Sequence, residues 1–273
     1  MEGALSEADR VFAGAIPALY DRYLGPVLFA GYAEDLARRA AALMPARVLE
    51  TAAGTGVVTR VLARTLPPDV EITATDLNQA MVDFAAPQPG ANRVVWRQAD
   101  AQALPFADGF FDAVLCQFGV MFFPERAAGY REARRVLKPG GQFLFSVWDR
   151  IQENEFDHIV TDAVAALFPD NPPRFLARTP HGYYDTAKID HELHAAGFSR
   201  ITIETVARRS RAPSPSHAAI GLCQGTPLRS EIEVRAADRL QEATNAAAAA
   251  LATRFGTGAI DGKIQAHIFT AAA

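Results

Sequence analysis

Two rhythms of apolar and polar residues alternate along the chain between positions 46 and 148. Short apolar runs of strand length occur at Val48–Leu49, Val70–Thr75, Val94–Gln98, Asp112–Cys116 and Gln142–Val147. Between them lie segments whose apolar residues recur three or four positions apart, which predicts helices over Val57–Thr65, Gln79–Ala85 and Glu125–Leu137. Pro67-Pro68, Pro87 and Lys138-Pro139-Gly140-Gly141 stop those helices in turn. Strands alternating with helices over about 100 residues imply βαβ units, a parallel sheet and helices on both of its faces.

The flanks follow other patterns. Residues 1–45 read as an amphipathic helical arm, interrupted at Ala15-Ile16-Pro17 and at Gly25-Pro26, with a cleaner helix over Tyr32–Met44. From Trp148 to Asp185 the periodicity weakens and prolines gather, as expected of helices inserted over a sheet edge. A helix over Ile189–Ala196, capped by Gly197, leads to a sixth strand at Ile201–Val206. Residues 213–256 read as a second helical insertion. In Lys263–Thr270, Ile264, Ala266 and Ile268 alternate with polar residues, which predicts an edge strand, antiparallel to the rest. The economical reading is one domain over 1–273: an arm (1–45), a core (46–148) and helical insertions (149–185 and 213–256) forming a cap.

Composition narrows the function classes. A chain of 273 residues can bury roughly three quarters of its unfolded surface. Its formal net charge of -4 leaves no electrostatic footprint for nucleic acid, and Arg208, Arg209 and Arg211 read as a solvated strand edge. Cys116 and Cys223 are far apart and lack metal-ligand spacing, so neither a disulfide framework nor a zinc site is expected. No apolar run approaches 18 residues. A cytoplasmic protein without a membrane span is the expectation.

Candidate chemistry gathers at the predicted strand tips. After Glu50, the run Thr51-Ala52-Ala53-Gly54-Thr55-Gly56 carries almost no side-chain volume where strand becomes helix, so a ligand could reach the backbone there. Asp76 and Asp100 end the second and third strands, giving three acids at three successive tips. In an open α/β sheet, ligands lie beyond these tips. An acid at the second tip can accept both ribose hydroxyls and one at the third an adenine amino group. The first can orient the turn or meet a cationic end of the ligand. Leu77, Met81 and Ala101 add apolar surface beside an adenine ring.

Glu-Thr-Ala-Ala-Gly-Thr-Gly (50–56), Thr-Asp-Leu-Asn-Gln-Ala-Met (75–81), Gln-Ala-Asp-Ala-Gln-Ala-Leu-Pro-Phe (98–106), Phe-Asp-Ala-Val (111–114) and Glu-Ala-Arg-Arg-Val-Leu-Lys-Pro-Gly-Gly (132–141) follow in order. This set resembles the motifs of class I S-adenosylmethionine-dependent methyltransferases, above all the branch containing the quinone-biosynthesis C-methyltransferases. The resemblance implies a Rossmann-like, doubly wound, seven-stranded α/β sheet, mostly parallel with its last strand antiparallel. It implies S-adenosylmethionine as cofactor, S-adenosylhomocysteine as product and a small-molecule acceptor with a nucleophilic O, N or C atom. Glu50, Ala52 and Gly54 would face the methionine moiety, Asp76 the ribose, Leu77 and Met81 the adenine, and Asp100 with Ala101 its edge. Gln117 and Phe118 would pass between cofactor and acceptor, and Tyr20 of the arm would cover the ligand. Ala52 stands where the family has its first motif glycine, and an ordinary φ there would tolerate the extra methyl.

No general base is singled out; His158, His181 and Tyr184, in or beside the first insertion, are the candidates on the acceptor side. His191 and His194 share a helix face without a third ligand, so no metal is expected. Two alternatives stay open: a non-catalytic protein that binds an adenosyl ligand, and an NAD-dependent oxidoreductase, which also needs a glycine turn followed by an acid. Neither the acceptor nor the oligomeric state can be read from the residues.

Overall fold

The helical stop and start signals act where the local chemistry requires. The computed structural model describes residues 14–273, so the first thirteen residues of the expected arm lie outside the described residues. A short helix α1 (Ile16–Leu19) widens into π-type turns over Tyr20–Phe29, where Gly25 and Pro26 interrupt the regular backbone ladder, and α2 (Ala30–Ala42) follows. Then come β1 (Arg47–Glu50), α3 (Val57–Thr65), β2 (Glu71–Asp76), α4 (Gln79–Ala85), β3 (Val94–Gln98), β4 (Phe111–Gln117), α5 (Arg126–Val136) and β5 (Leu137–Trp148). The remaining elements are α6 (Glu155–Ala166), α7 (Phe175–Arg178), α8 (Thr186–Ala195), β6 (Ser199–Ala212), α9 (Pro215–Gln224), α10 (Leu228–Arg235), α11 (Leu240–Phe255) and β7 (Ile260–Ala272).

Leu66, before Pro67, is extended at ψ 148° and ends α3, as the residue before proline prefers. The Asp185 carboxylate accepts the Ala187 and Lys188 amides and starts α8 three residues before the expected position. Lys138–Gly141, expected as a turn closing α5, instead lies within β5 as an irregularity. Pairing jumps there from Phe111 with Leu137 to Ala113 with Gln142, and Gly140 takes φ +82°.

All seven strands form one sheet in the order β3-β2-β1-β4-β5-β7-β6, parallel except for β7. One expectation is overturned: β7 is not an edge strand, because it lies between β5 and β6. The alternating pattern is confined to its first half. From Ala266 to Phe269 every residue is buried, which an interior strand requires. The edge is β6, and Arg209 and Arg211 near its end pair with Asp261 at 2.5 and 3.1 Å.

The chain divides into two compact units. One comprises Ala30–Val147, Tyr184–Val206 and Ala266–Ala273. Its core includes Phe145, stacked 4.7 Å from Phe143 and 4.7 Å from Phe269. The other takes residues 14–29 with Trp148–Tyr183 and Ala207–Gln265. It is mainly helical, with α11 packed on α6 and α9, and both expected insertions are helical as read. Gly221 lets α9 approach the π-type segment: a Cβ there would sit 2.6 Å from Leu24 Cδ2. Among the described residues no helix is long and apolar enough to cross a membrane.

Candidate functional site

The strand order reverses direction between β1 and β4, which makes the carboxyl ends of β1, β2 and β4 the switch point of the sheet. Glu50 ends β1 and is only 2% exposed. The small-residue turn that follows is tied on both flanks. The Thr51 amide donates to Leu115 O of β4 at 2.9 Å, the Ala53 amide to Thr75 O of β2 at 2.9 Å, and the Gly54 amide to Asp76 Oδ2 at 2.8 Å. Three residues of this turn are left-handed: Ala52 (φ +51°), Gly54 (φ +56°) and Gly56 (φ +80°).

The ordinary φ expected at Ala52 is therefore wrong. A left-handed alanine costs about 1 kcal/mol relative to the right-handed region. The conformation persists because the turn is anchored by bonds to both neighbouring strands and because Gly119 makes room for the methyl. A Cβ added to Gly119 would lie 2.6 Å from Ala52 Cβ. At Gly54, by contrast, an added Cβ meets nothing within 4 Å, so the backbone there borders open space.

Asp76 ends β2 almost fully buried, and both its oxygens accept backbone hydrogens: Oδ2 from Gly54 and Oδ1 from Asn78, each at 2.8 Å. Oδ1 also takes a long contact from the Asn78 side-chain amide at 3.5 Å, and Oδ2 keeps a further lone pair for a hydroxyl. Burial raises its proton affinity, against the pull of those amides. Glu50 accepts the Thr59 hydroxyl of α3 at 2.5 Å. Burial chiefly, with the charge of Asp76, pushes its carboxyl up to about 8, so it carries a proton at neutral pH. Cys116, buried on β4, is pushed up to about 12 by burial, which makes its thiol inert as a nucleophile.

Asp100 stands two residues past β3. Its Oδ1 accepts the Gln102 amide at 2.9 Å, and Ala99 N donates to Asp76 O at 3.0 Å, which draws the second and third tips together. The three acids thus stand on three adjacent strands. Leu77 is 39% exposed, whereas Met81 on α4 and Ala101 are buried. Phe118, just past β4, is itself left-handed (φ +52°) and meets Tyr32 edge-on at 5.3 Å, with Gln117 half-buried before it.

The other candidates have different surroundings. Tyr184 is 43% exposed. In the helical unit, Tyr20 stacks on Phe29 at 4.9 Å, and His158 is half-exposed on α6, 3.4 Å from Asp162. His181 is 3% exposed; its Nδ1 donates to Asp149 O at 2.8 Å, and its Nε2 lies 3.3 Å from Asp157 Oδ1. Thr59, Asn78 and Gly119 escaped the sequence reading. Thr59 carried a usable signal, since it falls in the first turn of the helix that follows the glycine turn.

The donors and acceptors fit an adenosyl amino acid: buried carboxyls for hydroxyls and an ammonium, and open backbone at Gly54 for close approach. Comparison with known proteins agrees. The family model described as a methyltransferase domain matches residues 49–145. The ubiquinone/menaquinone biosynthesis C-methyltransferase UbiE of Geobacter sulfurreducens is 42% identical over 127 residues, covering 45% of this chain and 50% of that protein. The protein of the same name from Caulobacter sp. (strain K31) is 30% identical over 181 residues, 57% of this chain and 69% of its own length. A Haemonchus contortus phosphoethanolamine N-methyltransferase, solved with S-adenosyl-L-methionine, shares the fold with a TM-score of 0.57 and 15% identity, over 94% of this chain and 56% of that one. Fold and site define a class I methyltransferase architecture. The chain belongs to the S-adenosylmethionine-dependent methyltransferase family. It spans half the length of the Geobacter relative and about two thirds of the Caulobacter one.

Proposed function

We propose that this protein binds S-adenosylmethionine at the tips of β1, β2 and β3 and transfers its methyl group to a nucleophilic O, N or C atom of a small molecule. The observation that carries the reading is the pair of buried carboxyls, Glu50 and Asp76, flanking a left-handed turn whose backbone is open at Gly54. Asp76 accepts the ribose hydroxyls with the lone pairs its two amide bonds leave. Glu50 meets the ammonium end. Asp100 and Ala101 edge the adenine, with Leu77 and Met81 beside the ring. The cofactor brings an activated sulfonium methyl, so the protein's part is alignment and exclusion of water. Ubiquinone/menaquinone-type relatives make phenols and quinols the first acceptors to try.

Calorimetry with S-adenosylhomocysteine tests the site. Asp76→Ala should weaken binding tenfold to a hundredfold, the worth of a charged hydrogen bond to ribose. Equal affinity in the variant would defeat the ribose assignment, and a clear thermal shift with NAD would favour an oxidoreductase. A methyl-release screen over phenols, quinols, amines and small acids then identifies the acceptor class.

A further inference from the structure

Glu50 is a buried carboxyl that accepts a hydrogen bond from the Thr59 hydroxyl at 2.5 Å, and Thr59 itself is completely buried in α3. The groups facing Glu50 come from three elements. Asp76 on β2 repels its charge, Arg60 on α3 attracts it, and Cys116 on β4, a neutral thiol, feels its field. The Arg60 guanidinium is turned to the backbone, where Nη1 donates to Thr55 O at 2.5 Å. Two buried carboxyls therefore share this corner, and among the described residues Arg60 is the cation whose charge acts on Glu50. Two like charges there are costly, and a proton on Glu50 removes the cost. Asp76 is the worse place for that proton, because both of its oxygens already accept amide hydrogens.

We propose that Thr59 is a positioning residue: its hydroxyl aims the Glu50 carboxyl at the cationic end of the adenosyl ligand and so couples ligand binding to the release of one proton from Glu50. This rests on the proposed function of the site. An entering ammonium favours the ionised carboxylate, the proton passes to the buffer, and Thr59 stabilises the charge left behind. Glu50 holds its proton up to about pH 8 in the free protein, so affinity rises with pH below 8 and levels off above it. Without the Thr59 hydroxyl the carboxylate loses a donor, and the rise moves to higher pH.

The test is titration calorimetry of S-adenosylhomocysteine in buffers of contrasting ionisation enthalpy, from pH 6 to pH 9.5. The wild type should release close to one proton per site near pH 7, fading above pH 8.5. Thr59→Val should weaken binding about tenfold at pH 7 and move the affinity profile up by about one pH unit. Thr59→Ser, which keeps the hydroxyl, should restore the wild-type profile, and Glu50→Gln should abolish proton release. A merely structural Thr59 would lower stability without moving the pH profile. A buffer-independent enthalpy in the wild type, or proton release persisting in Glu50→Gln, overturns the proposal while leaving the cofactor site standing. Absence of S-adenosylhomocysteine binding at every pH overturns both.

Discussion

Apart from the ion-paired Asp35, each of the two units buries a pair of acids, and the two pairs are treated in opposite ways. In the helical unit, Asp149 accepts the Arg150 amide at 2.7 Å and the Gln265 side chain at 2.6 Å, while Asp157 faces the His181 imidazole at 3.3 Å. The His181 Nδ1 donates to a carbonyl, which leaves Nε2 facing the Asp157 carboxyl at 3.3 Å. Asn154 closes the network, donating to Asp149 O and accepting the Gln265 amide. Both acids there face polar groups belonging to the protein. At the strand tips, Glu50 and Asp76 lie in each other's field, with the Thr59 hydroxyl, the Gly54 and Asn78 amides and, at 3.5 Å, the Asn78 side chain as donors. A buried acid answered from within holds a fold together. A buried acid answered by another acid stores a demand that a ligand can meet.

The sharpest way to break that contrast is Asp157→Ala. Removing the acid that faces His181 should lower unfolding free energy by about 3 kcal/mol, read by denaturant melts, while S-adenosylhomocysteine affinity stays within about twofold. A large loss of affinity would mean that the helical cluster is not purely structural. The mirror experiment is Asp76→Ala, whose loss of about 1.4–2.8 kcal/mol should appear in ligand affinity, beside the loss of stability that follows from leaving the Gly54 and Asn78 amides unanswered. Glu50→Gln sharpens the comparison through pH. The folded-state carboxyl is raised from 4.5 to about 8, so the folded protein holds its proton more tightly than the unfolded chain. The stability this confers is present below about pH 4.5 and is lost as pH rises through 8. The variant should therefore lack that decline and exceed the wild type by about 1–2 kcal/mol at pH 8.5 in melts without ligand. The smallest effect is expected from Ala52→Gly, which should gain about 1 kcal/mol by relieving the left-handed backbone, with binding retained.

Much of the core was legible before any coordinates. α3, α4 and β3 begin and end where the proline stops and apolar runs put them, because local signals and sheet burial agree there. The three acids were legible as strand-tip residues for the same reason. What failed depends on distant partners. The place of β7 inside the sheet is decided by β5 and β6 pairing along its two edges, which alternation at Lys263–Gln265 cannot report. The φ of Ala52 depends on Gly119, 67 positions away in sequence, leaving its side open. The burial of His181 is not legible in the residues around it, because Asp149 and Asp157, which it meets in space, are not near enough in sequence to form a motif.

The interior place of β7 bears on how the chain matures. Until Ile260–Ala272 has been synthesised, β5 and β6 have no neighbour to join them, so two rows of unsatisfied amides and carbonyls face water. The sheet completes by insertion of β7 between two waiting edges, a sequence-distant pairing whose absence leaves both edges open for another chain to join.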